Sequence, residues 1–230
     1  WNILALTFTN KAAREMRERI ANIVGINAAR YLQMGTFHSV FSHILRTEAE
    51  RIGYNPRFTI YDRSDSSSLI KTIIKESGLD DKKYKPNTVL SRISWAKNRL
   101  ILPESYANDP GLLKSDSAAN IPEVRNIYAN YQKRLKAAEA MDFDDLLVYM
   151  YILLCNNEDI RKKYVERFEF VLVDEYQDTN YTQARILDLL TRERKRICVV
   201  GDDAQSIYAF RGADIDNILN FTQTFPAAKL

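Results

Sequence analysis

The sequence predicts an α/β protein, built as a parallel sheet interrupted by a mainly helical insertion. Two observations carry that reading. A β-α-β rhythm opens the chain and resumes from Phe168, and its apolar runs are the uninterrupted aliphatic kind expected of parallel-sheet strands buried on both faces. Between Ser64 and Leu154 the pattern is helical with polar connectors, so a block has been inserted into one domain rather than two domains joined by a linker. The expected segments are 1–52, 53–142 and 143–230.

Ile3-Leu4-Ala5-Leu6-Thr7-Phe8 reads as the first strand. Thr9 or Asn10 then caps a helix running through Arg14, Met16 and Ile20. Tyr31 to Thr36 is a weaker strand. Phe37 to Ile52 is a helix with Phe37, Val40, Phe41, Ile44 and Leu45 on one face, closed by Gly53. Arg57 to Tyr61 forms a short strand. Leu69, Ile70, Ile73 and Ile74 stripe a helix ended by Gly78, and Pro86 fits the first turn of the next, which carries Val89, Leu90, Ile93 and Ala96. Asn108-Asp109-Pro110-Gly111 is read as a turn, and the polar stretch to Asn120 as a mobile loop. Ile121, Val124, Tyr128, Tyr131, Leu135 and Ala138 then form a narrow seam suited to helix pairing. Phe143-Asp144-Asp145-Leu146 starts a helix and is assigned no chemistry. The closing rhythm is a strand at 170–174, a helix near 181–192 and a strand at Ile197-Cys198-Val199-Val200-Gly201.

Composition excludes more than it proves. With 46% hydrophobic and 27% charged residues over 230 positions, the chain is neither disordered nor a membrane protein in class. It has no bilayer-length apolar run and no signal-peptide pattern. Cys155 and Cys198 lie in apolar sequence and far apart, which fits a reducing, cytoplasmic compartment. Two His and two Cys without close spacing argue against structural zinc. A net charge of +3 leaves any nucleic-acid contact to local patches. The basic clusters Lys11-Arg14-Arg17-Arg19, Arg161-Lys162-Lys163 and 192–196 are interspersed with acids and read as solvated helix faces. The chain opens on Trp1 instead of Met, immediately before a core strand, so upstream sequence is expected to be missing.

The chemistry gathers at strand ends. Val173-Asp174-Glu175 and Val200-Gly201-Asp202-Asp203 place four acids after two parallel-type strands, where ligands of open α/β sheets sit. A lone strand-end Asp is more often a helix cap. Two pairs, one followed by Tyr-Gln-Asp-Thr, point to a metal–nucleotide site, with Asp174 for Mg2+ and Glu175 as the base that orients an attacking water. The companion phosphate cradle is absent, because none of the seven glycines precedes a Lys as G-x-x-x-x-G-K-[ST] requires. Thr7-Phe8-Thr9-Asn10-Lys11 and Gly35-Thr36-Phe37-His38-Ser39 each offer hydroxyls and free N–H groups at a helix start, beside an aromatic that could stack on a base. Taken singly, each is more often a capped helix with a core Phe, and His38 a hydrogen-bonded structural residue. Gln205 could touch a terminal phosphate or its attacking water. Tyr208 and Phe210 share one side of an extended segment and form a candidate stacking platform, with Arg211 beside them; ordinary core aromatics explain the pair equally well.

Together these residues resemble superfamily 1 DNA helicases of the UvrD/Rep/PcrA type. Thr7 to Ala13 looks like motif Ia, Thr36 to Ser39 like motif Ib, Asp174-Glu175-Tyr176-Gln177-Asp178-Thr179 like motif II, and Gly201 to Ala213 like motif III. The resemblance implies an incomplete RecA-like domain 1A carrying an inserted helical subdomain 1B. It implies ATP and Mg2+ as cofactors, and 3′-to-5′ translocation on single-stranded DNA with unwinding at single-/double-strand junctions. By the family pattern Asp174 serves the metal, Glu175 and Gln205 are catalytic, and Gln205 and Gln177 face the nucleotide. Thr7, Phe8, Thr9, Asn10, Thr36, His38, Tyr208, Phe210 and Arg211 lie along the DNA. Ala204 stands where Asp is common and Phe210 where Trp is common. With no P-loop and no second RecA-like domain, the 230 residues alone are expected to be inactive. Two other expectations stay open: the helicase portion of an AddA- or RecB-like helicase–nuclease, and a non-catalytic DNA-binding module derived from a helicase.

Overall fold

The computed structural model describes residues 2–194, 196–205 and 213–229. In chain order the first elements are β1 (Ile3–Thr7), α1 (Asn10–Val24), α2 (Ile26–Ala29), β2 (Gln33–Thr36) and α3 (Phe37–Thr47). Next come β3 (Thr59–Tyr61), α4 (Arg63–Glu76), α5 (Pro86–Lys97), α6 (Pro103–Ala107), α7 (Pro110–Ala118), α8 (Val124–Ala137), β4 (Ala140–Asp142) and α9 (Phe143–Asn156). The chain continues with α10 (Glu158–Arg167), β5 (Phe170–Val173), α11 (Tyr181–Thr191), β6 (Ile197–Val199), α12 (Asp216–Leu219) and α13 (Phe221–Thr224). Two compact units result: residues 1–47 with 149–230, and residues 48–148.

The first unit holds a four-stranded sheet in the order β2-β1-β5-β6, parallel throughout. The register pairs Thr7 with Thr36, Leu6 with Val173, and Val173 with Val199, so the carboxyl ends of all four strands lie along one edge. From β1 the chain steps to β2 on one side and later returns to β5 on the other. That reversal of direction between β1 and β5 is where ligands of open parallel sheets bind, outside the strand ends. Leu4, Leu6, Phe37, Phe41, Val171 and Val173 are buried in this unit's core.

β5 departs from the expectation of burial on both faces. It alternates, with Val171 and Val173 buried but Phe170 and Leu172 exposed at 45% and 38%. An aliphatic run alone does not distinguish one covered face from two. The cysteines also differ from the expected apolar setting, since Cys155 and Cys198 are both free and exposed. Arg17, read as part of a solvated face, donates to the Met34 carbonyl at 2.9 Å.

The second unit packs α4, α5, α6 and α8 around Ile70, Ile73, Val89, Ile93, Tyr128 and Leu135, beside the two-stranded parallel sheet β3-β4. The expected seam on α8 is buried from Val124 through Leu135. Three local expectations are corrected. The predicted helix from Phe37 to Ile52 stops at Thr47, and a separate 3₁₀ turn, Ala49–Ile52, ends in left-handed Gly53 (φ 68°). The stretch after Asn108 is the helix α7 and not a loop: Asp109 accepts from the Gly111 and Leu112 N–H groups at 2.8 and 3.0 Å, and Pro110 fills the first turn. β4 was not anticipated, because three residues become a strand only through pairing with β3. Among the described residues no helix is long and apolar enough to cross a membrane.

Candidate functional site

The edge formed by the four strand ends collects most of the expected site residues. Adjacent parallel strands lie about 4.8 Å apart, so the row from Thr36 to Val199 spans roughly 14 Å, a length that suits a nucleotide's phosphates and a neighbouring strand of bases.

On β1, Thr7 is 1% exposed and its hydroxyl donates to the Thr9 carbonyl at 3.3 Å. It shapes the turn from within and does not present its side chain outward as expected of a DNA contact. Thr9 is the N-cap of α1, its hydroxyl accepting from the Ala12 N–H at 3.1 Å; Thr9 and Asn10 are exposed. Phe8 is half-buried with its ring 5.3 Å from that of Phe37, which in turn meets Phe41 edge-on. One face of Phe8 is therefore supported by the core of the neighbouring junction. On β2, the Thr36 hydroxyl accepts from the Ser39 N–H at 3.2 Å at the start of α3. Burial lowers the His38 pKa to about 4, so its imidazole is neutral near pH 7 and could meet a ligand only as a neutral donor or acceptor. The structure thus sets the Thr7–Asn10 and Thr36–His38 junctions side by side.

Asp174 continues directly from β5, its N–H donating to the Leu6 carbonyl at 3.0 Å. It is half-buried, and one carboxylate oxygen accepts from the Glu175 N–H at 3.1 Å. Glu175 is exposed and sits in the left-handed backbone region (φ 53°, ψ 44°), a turn that a β-carbon makes costly by about 1–2 kcal/mol. The 3₁₀ turn Tyr176–Asp178 follows, buried throughout. Tyr176 packs edge-on against Phe221, and its N–H donates to the Val200 carbonyl at 2.9 Å. Asp178 is buried behind Glu175; burial, and secondarily the Glu175 charge, push its carboxyl above the ordinary range. Asn180 and Gln183 form a reciprocal capping box that starts α11.

Gln177 is the best-engaged residue of the group. At 1% exposure, its amide nitrogen donates to a Glu175 carboxylate oxygen at 2.6 Å, and its amide oxygen accepts from the Asp202 N–H at 3.1 Å. The site expected Gln177 at the nucleotide; its polar atoms are instead bound within the protein. Asp202 also accepts from the Gln205 side-chain amide at 2.8 Å, which pins Gln205 at the end of the turn after β6. The sequence singled out Asp202 only as a strand-end acid; its link to Gln177 depends on β5 and β6 being neighbours. Tyr208, Phe210 and Arg211 lie outside the described residues.

The donor set fits one kind of cation. Among the described residues no three His, Cys, Asp or Glu side chains converge as a metal-binding group. Mg2+ commonly takes one or two carboxylates and completes its shell with waters and phosphate oxygens. A single strand-end carboxylate such as Asp174, with one oxygen held by a backbone N–H, suits that role and would not hold a metal without a phosphate partner.

A parallel sheet with paired acids at its carboxyl edge, joined to a polar turn on the next strand, is the setting in which open α/β sheets bind ligands. The chain belongs to the family described as the UvrD/REP helicase N-terminal domain, whose model matches residues 1–226. Individual relatives agree. The chain is 44% identical over 228 residues to the ATP-dependent DNA helicase PcrA of Leuconostoc citreum, covering 99% of this chain and 30% of that protein. It is 44% identical over 230 residues to the protein of the same description from Bacillus subtilis (strain 168), covering 100% and 30%. The Staphylococcus aureus (strain NCTC 8325 / PS 47) counterpart is 42% identical over 228 residues, covering 99% and 30%. The chain therefore spans about 30% of the length of these relatives.

Proposed function

We propose that these residues are the N-terminal part of an ATP-dependent DNA helicase that moves 3′ to 5′ along single-stranded DNA and opens duplex at the junction. The discontinuous unit (1–47 with 149–230) corresponds to a RecA-like domain 1A, and residues 48–148 to the inserted subdomain 1B. The observation that supports this most is the pairing of Asp174-Glu175 with the Asp202–Gln205 turn through buried Gln177, at the carboxyl edge of a parallel sheet in a chain of this family.

In this reading Asp174 helps hold Mg2+, which would neutralise phosphate charge when bound with ATP. Exposed Glu175 accepts a proton from the water whose oxygen bonds to the γ-phosphorus, while the bond to the β,γ-bridging oxygen breaks and ADP leaves. Gln205, tied to Asp202, senses the nucleotide beside it. Phe8, backed by Phe37, offers a supported face to a base. Thr9, Asn10, Thr36 and His38 give polar contacts along the strand of DNA. No G-x-x-x-x-G-K-[ST] occurs in the 230 residues, so turnover belongs to a longer protein that supplies it.

The test is Glu175→Gln in that full-length protein. Turnover stimulated by single-stranded DNA falls by roughly three orders of magnitude or more, while nucleotide binding, read by a fluorescent ATP analogue, survives. Unchanged turnover removes Glu175 from the base role.

A further inference from the structure

We infer that Gln177 is a positioning residue that couples Glu175 to the turn after β6, acting on the reaction through its two partners without touching nucleotide. The inference rests on the hydrolytic reading of Glu175 given above and adds a means by which the two strand ends are kept in step.

Three independent features support it. First, the amide is used in both senses: its nitrogen donates to Glu175 at 2.6 Å and its oxygen accepts from the Asp202 N–H at 3.1 Å. An amide offers a donor and an acceptor fixed in one plane without carrying charge, and a carboxylate in its place would repel Glu175. Second, the far end of the link is built without slack. A β-carbon on Gly201 would lie 2.6 Å from the Gln177 amide oxygen, 2.8 Å from Ile218 and 3.2 Å from the Tyr176 backbone nitrogen, so the turn approaches Gln177 as closely as a glycine permits. Third, the chain of contacts continues. Asp202 holds the Gln205 amide at 2.8 Å and the Ala204 N–H at 3.0 Å, and Tyr176 N–H holds the Val200 carbonyl. Glu175, Gln177, Asp202 and Gln205 are thus linked in a row across two strands.

Two consequences follow from this geometry. Glu175 is otherwise an exposed carboxylate on a left-handed turn, and the Gln177 donor restricts where it points. Any shift of the Asp202–Gln205 turn is transmitted to Glu175, because the buried amide cannot satisfy one partner while moving with the other.

The experiment uses Gln177→Met, close in volume but unable to make either bond, and Gln177→Glu, which keeps the acceptor and loses the donor. Both are placed in the full-length protein, alone and together with Glu175→Gln. Expected for Gln177→Met is a kcat for DNA-stimulated ATP turnover lower by roughly 10-fold or more, with KM for ATP within about 2-fold, as when a partner orienting a reacting group is removed. In the Glu175→Gln background the same change costs several-fold less, because the part of its effect that acts through Glu175 is already lost. Hydrogen exchange read by mass spectrometry rises in the peptide spanning 200–205 for Gln177→Met and stays at the wild-type level for Gln177→Glu. The proposal is overturned by an equal fractional loss of turnover in both backgrounds, by full activity of Gln177→Met, or by unchanged exchange at 200–205. A wild-type protein that turns over no nucleotide defeats the hydrolytic reading, and the exchange measurement then decides the linkage by itself.

Discussion

The candidate site depends on single atoms more than on bulk. Gly201 shows this most clearly, since among the described glycines its β-carbon position is approached most closely, at 2.6 Å by the Gln177 amide oxygen. Gly201→Ala forces apart the Gln177 amide, the Ile218 side chain and the Tyr176 backbone, and only the second of these is flexible. We expect a loss of about 1–3 kcal/mol in unfolding free energy, the usual cost of an overpacked contact, read by urea titration. A variant as stable as the wild type would mean that the turn has room the structure does not show. Phe8 and Thr7 make a complementary point. They are adjacent in sequence, yet one presents a half-buried ring while the other turns its hydroxyl inward to the Thr9 carbonyl. Neighbouring motif residues therefore divide into those that can meet a ligand and those that shape the turn presenting them.

Among the elements, α5, α8, β4 and the start of α9 enclose a buried cluster of charges. Lys97 lies 2.8 Å from both Asp142 and Asp145, Tyr131 donates to Asp142 at 2.9 Å, and Asn98 donates to Asp144 at 3.0 Å. Asp142 and Asp145 also exchange backbone bonds that cap α9. Burial raises Asp144 to about 6 and Asp145 to about 7, with the Asp142 charge adding to both; for Asp142 itself burial is overcome by the Lys97 ammonium. Lys97→Met leaves these carboxylates buried with no cation, so the helical unit should lose about 3–5 kcal/mol, visible as a lower urea midpoint. A shift below about 1 kcal/mol would show that the network relaxes at little cost. None of this was legible beforehand: Lys97 and Asp142 are far apart in sequence, and 143–146 read only as a helix start. The acids after β5 were legible because an aliphatic run and what terminates it are local. So was the cap of α1 at Thr9. α7 was missed although Asp109-Pro110 is a cap-and-first-turn pair, because the polar residues that follow outweighed it. The role of Gln177 was out of reach, since it needs Asp202 brought alongside by strand pairing.

For the molecule as a whole, connectivity matters more than composition. The expected limits are 52/53 and 142/143; the compact unit runs from 48 to 148, with its second limit inside α9. That unit is one continuous stretch with its own core, whereas the sheet-bearing unit is made of two separated stretches. Residues 48–148 expressed alone should therefore fold and melt cooperatively, with chemical-shift dispersion typical of a packed protein. A collapsed product without a cooperative transition would show that its core needs the rest of the chain. The converse dependence has a consequence during synthesis. β1 is hydrogen-bonded to β5, yet Phe170 is made long after its register partner Ile3. At about 5–20 residues per second, the ribosome delivers the second strand roughly 8 to 30 s after the first. Throughout that interval the nascent β1 has no partner on its β5 side, and the helical unit is completed before β5 is made. The pairing of β1 with β5 is thus delayed by the order in which the two strands are encoded, and a circular permutation that places β1 directly before β5 would shorten the wait.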